Sequence, residues 1–315
     1  MKTPHIANNE NVIEDYVTVL ELLDLKETSI VTRVQSLVPF FNYLESKKAE
    51  DVTKSDIEKY ITHMRRSKKK KVTQNRDIIN IRAFFNWRKP ENDYFNNIKI
   101  KREKPDNSKK EFVDASDVLK MLPHCTNQRD RVLLMLMWES GARLGELLSI
   151  NIEDVKPHKH GITVTVTGKT GKRDILIIDS VPDIQQWLNI YKADKEAPLF
   201  PIMSRRGKGR LGSRGAEYVI SNLAGKAGLE KRVYCHSFRH GRLSELSNAG
   251  MSEMQLRHYA GWTDESDMPA VYLHTTQDDV FNKLLKIKGV DIEETKQEPV
   301  KIMTNKICPR CKAAN

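Results

Sequence analysis

From about residue 11 to residue 89, apolar side chains return every three to four positions. Ile13, Tyr16, Val17, Leu20 and Leu23 make one stripe, and Ile30, Val34, Leu37, Phe41 and Leu44 make the next. A repeat close to the helical period puts each set on one side of a helix. Pro39 lies inside the second stripe, where its ring and missing N–H favour a kink. A third helix is predicted from Ser55, capped by its hydroxyl with Glu58 reaching back, and a fourth through Ile78, Ile81, Phe84, Phe85 and Trp87. Four such helices bury their stripes against one another as a small helical domain over residues 1–98.

The pattern then stops. Residues 99–111 read KIKREKPDNSKKE, charged and without an apolar period, which suits a basic, solvated linker. Beyond it, residues 115–122 and 131–148 read as helices, and GITVTVTGKTGKRDILII reads as two alternating strands around a Gly-Lys-Thr-Gly turn. Helical periods return at residues 180–191, 214–227, 236–249, 253–259 and 277–288. The last carries Val280, Phe281, Leu284 and Leu285 on one face, for this chain's own core or for a neighbouring subunit. The predicted fold class is mainly α with a small β-sheet, the second domain spanning residues 112–290 and a polar tail residues 291–315.

Composition adds a partner class. Lys and Arg number 53 against 42 Asp and Glu, a net charge of +11, so a polyanion is the natural ligand, although charge alone does not separate DNA from RNA or an anionic membrane. No run of about 20 apolar residues is present for a membrane span, and the start MKTPHIANNENVIEDY lacks the apolar core of a signal peptide, so a cytoplasmic protein is expected. Three basic stretches are candidate phosphate contacts, each equally readable as a solvated loop. They hold Arg65, Arg66, Lys68, Lys69, Lys70 and Lys71; Lys101 and Arg102; and Arg205, Arg206, Lys208 and Arg210. Cys308 and Cys311 have zinc-knuckle spacing, but a closed site takes four ligands, so no zinc is expected there and none for catalysis.

The second domain also holds the groups that phosphodiester cleavage needs: a nucleophile, cations for the developing charge, and an acid for the departing oxygen. ESGARLGELLSI places Arg143 just before a helix, where a guanidinium can fork two phosphate oxygens, and Glu146 three positions on, able to orient it. HSFRHGRLSELSNAG sets His236 and Arg239 on one helical face. GWTDESDMPAVYLH supplies Trp262, a hydrogen-bond donor, and Tyr272, whose phenol has an ordinary pKa of about 10 that clustered cations lower. Each residue alone reads as an ordinary cap, surface cation or packing aromatic, and Tyr259 and Tyr234 compete for the nucleophile's role.

Taken in order, G-x-R-x-x-E-L, a lysine hairpin, H-x-x-R, a Gly-Trp and a Tyr-x-His resemble the tyrosine recombinases, the phage integrase and Xer family, over nearly the whole chain. The resemblance implies an N-terminal SAM-like core-binding domain and a catalytic domain that together grip duplex DNA. By the same resemblance Arg143, His236 and Arg239 handle the phosphate, Glu146 supports Arg143, and Lys169 is the general acid, with Lys172 and Arg173 as hairpin alternatives. Trp262 falls where most members carry histidine and some tryptophan, and its interval to Tyr272 is one residue longer than usual. Tyr272 becomes the nucleophile of a 3′-phosphotyrosine intermediate, with neither metal nor ATP needed and a tetramer on synapsed DNA as the working assembly. Two neighbouring readings are a type IB topoisomerase-like relaxing enzyme, which would not exchange strands between duplexes, and a catalytically inactive sequence-specific DNA-binding protein.

Overall fold

The computed structural model describes residues 8–45, 47–100, 112–203, 209–272, 281, 284, 285 and 287–289. The chain divides into two compact units, Met1–Pro105 and Asp106–Asn315. Among the described residues the secondary structure is mostly helical, with one small antiparallel sheet.

The first unit packs α1 (Glu10–Leu22), α2 (Glu27–Tyr43), α3 (Lys54–Arg66) and α4 (Lys71–Arg88). Its core is aromatic. Tyr16 meets Phe84 edge-on at 5.2 Å between ring centroids, and Phe40 meets Tyr60 in the same way at 5.1 Å, an arrangement that places ring edges on ring faces. Helix α2 runs on through Pro39, with Leu37, Phe40 and Phe41 fully buried around it. The cap of α3 is Thr53 with Asp56, not Ser55 with Glu58. Both pairs fit the capping-box pattern; Asp56 also takes an ion pair from Lys47 at 2.8 Å, and Val52 beside the cap is buried.

Helix α4 buries polar side chains as well as apolar ones. Ser36 Oγ donates to Asp77 Oδ1 at 3.1 Å and accepts from Asn80 Nδ2 at 2.9 Å, which locks α2 to α4. The same network ties down the basic loop before α4. Gln74 Nε2 donates to the Lys69 carbonyl at 2.9 Å, and Lys69 Nζ reaches Asp77 at 3.4 Å.

The second unit is built around α6 (Gln128–Glu139), buried at every position from Val132 to Glu139. Around it lie α5 (Ala115–Met121), α7 (Leu144–Leu148), α8 (Val181–Ile190), α9 (Ser213–Lys226), α10 (Cys235–Asn248) and α11 (Glu253–Ala260). The sheet has the order β1-β2-β3, from Val155–His158, Gly161–Gly168 and Gly171–Ile177. Strands β2 and β3 form the expected hairpin, closed at the pair Gly168 and Gly171. Strand β1, with Pro157 and two charged or imidazole side chains, was not legible as a strand and joins as an edge. Phe281, Leu284 and Leu285 are all exposed, so they do not join this chain's core; Val280 lies outside the described residues.

One close approach fixes where α10 sits. A Cβ at Gly241 would fall 1.7 Å from the Val113 carbonyl oxygen, so the helix rests directly on backbone. Gly241→Ala is expected to cost about 1–3 kcal/mol, seen as a melting temperature several degrees lower, and an unchanged melting curve would contradict this contact.

Candidate active site

The site begins where α6 ends. Gly141 takes a positive φ of 54°, which turns the chain so that Arg143 precedes α7. The Arg143 backbone N–H donates to Glu146 Oε2 at 3.0 Å, and its Nη1 donates to Oε1 at 2.7 Å. Arg173, on β3, donates to Glu146 Oε2 at 2.7 Å. One buried carboxylate therefore orients two guanidinium groups. Gly168 makes room for it, since a Cβ there would lie 2.4 Å from Oε1.

Burial alone would raise the Glu146 pKa, but its bonds to Arg173 and Arg143 win and hold it at about 2, against an ordinary 4.5. A depressed carboxylate stabilises the fold fully above its unfolded value and loses that contribution as pH falls toward the folded one. About 3 kcal/mol of stability is expected to disappear between pH 5 and pH 2 through this group. Denaturant melts across that range should show a shallower acid slope in Glu146→Gln; equal slopes in both proteins would contradict the assignment.

The end of α11 gathers the cations. A helix leaves its last carbonyls without intrahelical partners, and the C-terminal end of its dipole favours positive charge. Here three successive carbonyls each receive one arginine. Tyr259 O accepts from Arg173 Nε at 3.1 Å, Ala260 O from Arg239 Nη2 at 2.7 Å, and Gly261 O from both Arg143 Nη groups at 3.3 Å. Gly261 O also accepts from Thr170 Oγ1 at 3.2 Å, which draws the Lys169-Thr170 hairpin turn to the same place. Gly261 ends the helix in the left-handed region at φ 61°, and a Cβ there would lie 2.6 Å from Arg173 Nη1, so both the backbone and the packing favour glycine.

Arg239 is 2% exposed, bonded also to the Gly141 carbonyl at 2.8 Å, with its guanidinium carbon 5.5 Å from the Trp262 ring centroid. Burial, then the Arg143 cation, lower its pKa to about 10, which leaves it charged at neutral pH. Trp262 stacks on Tyr272 at 5.6 Å and 22°. The Tyr272 carbonyl accepts from Ser247 Oγ at 2.9 Å, and the Tyr272 hydroxyl is hydrogen-bonded to His240 Nδ1. His236 meets His240 edge-on at 4.6 Å. Partial burial of the ring, then Arg239 and Arg143, hold the His236 pKa below the ordinary imidazole value.

Several expectations change. The Tyr272 phenol is not lowered by its cations: burial pushes it up to about 12, and Arg239 offsets only part of that. Arg173 points inward to Glu146, while Lys169 and Lys172 are exposed, so the hairpin keeps two lysines free to face a ligand. Tyr259 is committed elsewhere, its hydroxyl donating to the Glu139 carbonyl at 2.5 Å. Among the basic candidates, Arg66, Lys68, Lys69, Lys70 and Lys71 are exposed where α3 passes into α4, and Arg65 is exposed with Nη2 donating to the Lys99 carbonyl at 3.0 Å. Arg210 is exposed, with part of its guanidinium engaged by the protein itself. Its guanidinium binds the Leu148 and Ile150 carbonyls, at 2.5 and 2.9 Å, and Asn151 Oδ1, because the carbonyl end of α7 attracts it. Lys101, Arg102, Arg205, Arg206, Lys208, Cys308 and Cys311 lie outside the described residues. Among the described residues no group of three or more His, Cys, Asp or Glu side chains is placed to hold a metal ion.

Thr170 and His240 were missed as site residues, and Arg173 was read only as an alternative hairpin cation. Arg173 shares strand parity with Ile175 and Ile177, which are buried, and His240 lies one helical turn after His236. Both signals were present in the sequence.

Comparison with known proteins agrees with this arrangement. The model of the phage integrase family matches residues 111–278, and that of the phage integrase N-terminal SAM-like domain matches residues 12–91. A tyrosine recombinase of Pseudothermotoga lettingae is 26% identical over 275 residues, 84% of this chain and 93% of that protein. Tyrosine recombinase XerA of Pyrococcus horikoshii is 24% identical over 293 residues, 92% of this chain and 98% of that protein. In fold, the chain resembles a lambda integrase from a tetramer bound to a Holliday junction, with a TM-score of 0.66 at 13% identity, covering 94% of this chain and 82% of that one. With more than half of its length matched by one family model and the preceding unit by its usual companion, the chain belongs to the phage integrase family, the tyrosine recombinases, enzymes that break and rejoin DNA strands.

Proposed function

We propose that this recombinase acts at a specific DNA site through a covalent 3′-phosphotyrosine formed by Tyr272. The observation that carries the reading is the end of α11, where Arg143, Arg173 and Arg239 are held on consecutive carbonyls beside the Trp262–Tyr272 stack. A phosphodiester seated against Arg143 and Arg239 meets fixed positive charge that needs no rearrangement as charge builds on the phosphoryl oxygens. Arg173, with Glu146, positions Arg143. The Tyr272 oxygen attacks in line, the 5′ oxygen leaves with a proton from Lys169, and that hydroxyl then attacks the phosphotyrosine of another strand. The phosphate ester energy is retained in the tyrosyl ester, so no ATP is required. The arginines and Lys169 supply the charge that a metal ion supplies in other phosphoryl-transfer sites, so no metal is required either.

Double-stranded DNA is the partner, and a homotetramer on two synapsed duplexes is the working form. The exposed Arg65–Lys71 stretch supplies phosphate contacts, and the exposed Phe281, Leu284 and Leu285 suit contact with a second subunit. Among the described residues no helix is long and apolar enough to cross a membrane, and the chain works in the cytoplasm on the nucleoid.

A library of nicked suicide duplexes tests the reading. The protein is expected to trap a detergent-resistant DNA adduct, linked through the 3′ phosphate, in EDTA as well as in Mg²⁺. Adduct formation that vanished in EDTA and returned with added metal would overturn the metal-free mechanism, and relaxation of plasmid without exchange between two duplexes would favour a topoisomerase-like enzyme.

A further inference from the structure

The neutral phenol of Tyr272 has a definite proton partner, and it is not the histidine of the H-x-x-R pair. The Tyr272 hydroxyl is bonded to His240 Nδ1, while His236 meets the edge of the His240 ring. His240 is held in that orientation by its surroundings. Phe112 stacks on it at 4.7 Å and 20°, and the Tyr272 ring lies at 5.6 Å and 28°. The imidazole therefore lies between an aromatic neighbour and the reacting phenol, with its position along α10 fixed one residue after the buried Arg239.

We propose that His240 is a further catalytic residue of this reaction, its Nδ1 accepting the phenolic proton as the Tyr272 oxygen closes on phosphorus. The proposal rests on Tyr272 being the nucleophile. In the step, the Oη–H bond breaks and its proton passes to Nδ1, an O–P bond forms, and the P–O5′ bond breaks with its electron pair going to O5′, which takes a proton from Lys169. In religation each transfer reverses, and Nδ1 returns the proton to the phenol. With the proton on Nε2, a neutral imidazole presents to the phenol the Nδ1 lone pair that this requires. The need is physical: burial keeps the Tyr272 phenol un-ionised at neutral pH, so attack without an acceptor would develop an oxonium-like oxygen in a buried site. His236, which is exposed, remains available to the phosphate.

His240→Phe keeps the ring stack on Phe112 and removes the acceptor. His240→Asn offers a hydrogen-bonding amide that does not take a proton. Single-turnover adduct formation should be about 10²- to 10³-fold slower in both variants, with duplex affinity unchanged. A substrate with a 5′-bridging phosphorothiolate separates the two ends of the reaction, because a thiolate leaves without a proton. It should restore Lys169→Ala and leave the His240 variants slow. Three outcomes overturn the proposal: wild-type rates in His240→Phe, full rate in His240→Asn, or rescue of the His240 variants by the phosphorothiolate, which would place His240 at the leaving group. If His240→Phe does not bind duplex, His240→Asn decides alone. Tyr272→Phe run in parallel keeps the two assignments apart, since adduct in that variant sinks the nucleophile and normal His240 variants without it sink only the base.

Discussion

Tyr272→Phe is expected to form no covalent adduct on a nicked suicide duplex while still binding it with near wild-type affinity. The substitution removes one oxygen and leaves the ring, so the stack on Trp262 and the bond from Ser247 to the Tyr272 carbonyl both persist. What is lost structurally is the hydroxyl's bond to His240, worth about 1 kcal/mol, which is too little to unfold the domain. Binding depends on cations that the substitution does not touch. On the proposed mechanism chemistry depends on the missing atom, so the loss in rate should be about 10⁴-fold or more, below detection in a gel assay. Tyr234→Phe is the proper control, because Tyr234 is the exposed tyrosine near α10 whereas Tyr259 is locked onto Glu139. Adduct formation that survived in Tyr272→Phe and vanished in Tyr234→Phe would transfer the nucleophile to the latter.

What the sequence made legible follows from what has a period or an order. Most helices with apolar stripes were readable to within a few residues, but the helix expected over residues 131–148 breaks at Gly141 into α6 and α7; the hairpin was readable because its alternation and its glycine turn are both local. The ordered set of Arg143, His236, Arg239, Trp262 and Tyr272 was readable through the family resemblance, and the structure brings them into one region of the second unit. Three-dimensional choices between equivalent neighbours were not readable. Thr53 and Ser55 are both capable caps, and the choice falls to Lys47, which is distant in the pattern and close in space. Arg210 looks like any basic loop residue until the carbonyl end of α7 is placed beside it. The direction of the Tyr272 shift was misjudged for a related reason. Cations near a phenol lower its pKa, but the same packing that brings them near excludes water, and here desolvation is the larger effect.

That balance recasts what the arginines do. If their field does not ionise the nucleophile, their contribution lies with the phosphate, and the carbonyls that hold them keep them from collapsing onto any carboxylate other than Glu146. Gly261 is central to this, since one residue ends α11, receives Arg143 and Thr170, and leaves space for Arg173.

Arg143→Lys is the corresponding test of the phosphate side. Arg143 is the half-exposed member of the trio, whereas Arg173 and Arg239 are nearly enclosed, so Arg143 offers a ligand the most accessible guanidinium. Its Nη1 spans from Glu146 Oε1 at 2.7 Å to Gly261 O at 3.3 Å, a geometry that a planar fork satisfies and a single ammonium does not. A lysine keeps the charge, so duplex affinity and its salt dependence should change little. It keeps the fold as well, because Glu146 retains Arg173 and the Arg143 backbone N–H. On the proposed mechanism the transition state loses a guanidinium fork on the phosphate, and removing one such preorganised donor costs about 10²- to 10³-fold in rate. Single-turnover cleavage should fall by that factor with binding intact. A rate within about threefold of wild type would mean that the fork is dispensable and that Arg143 acts only as a point charge.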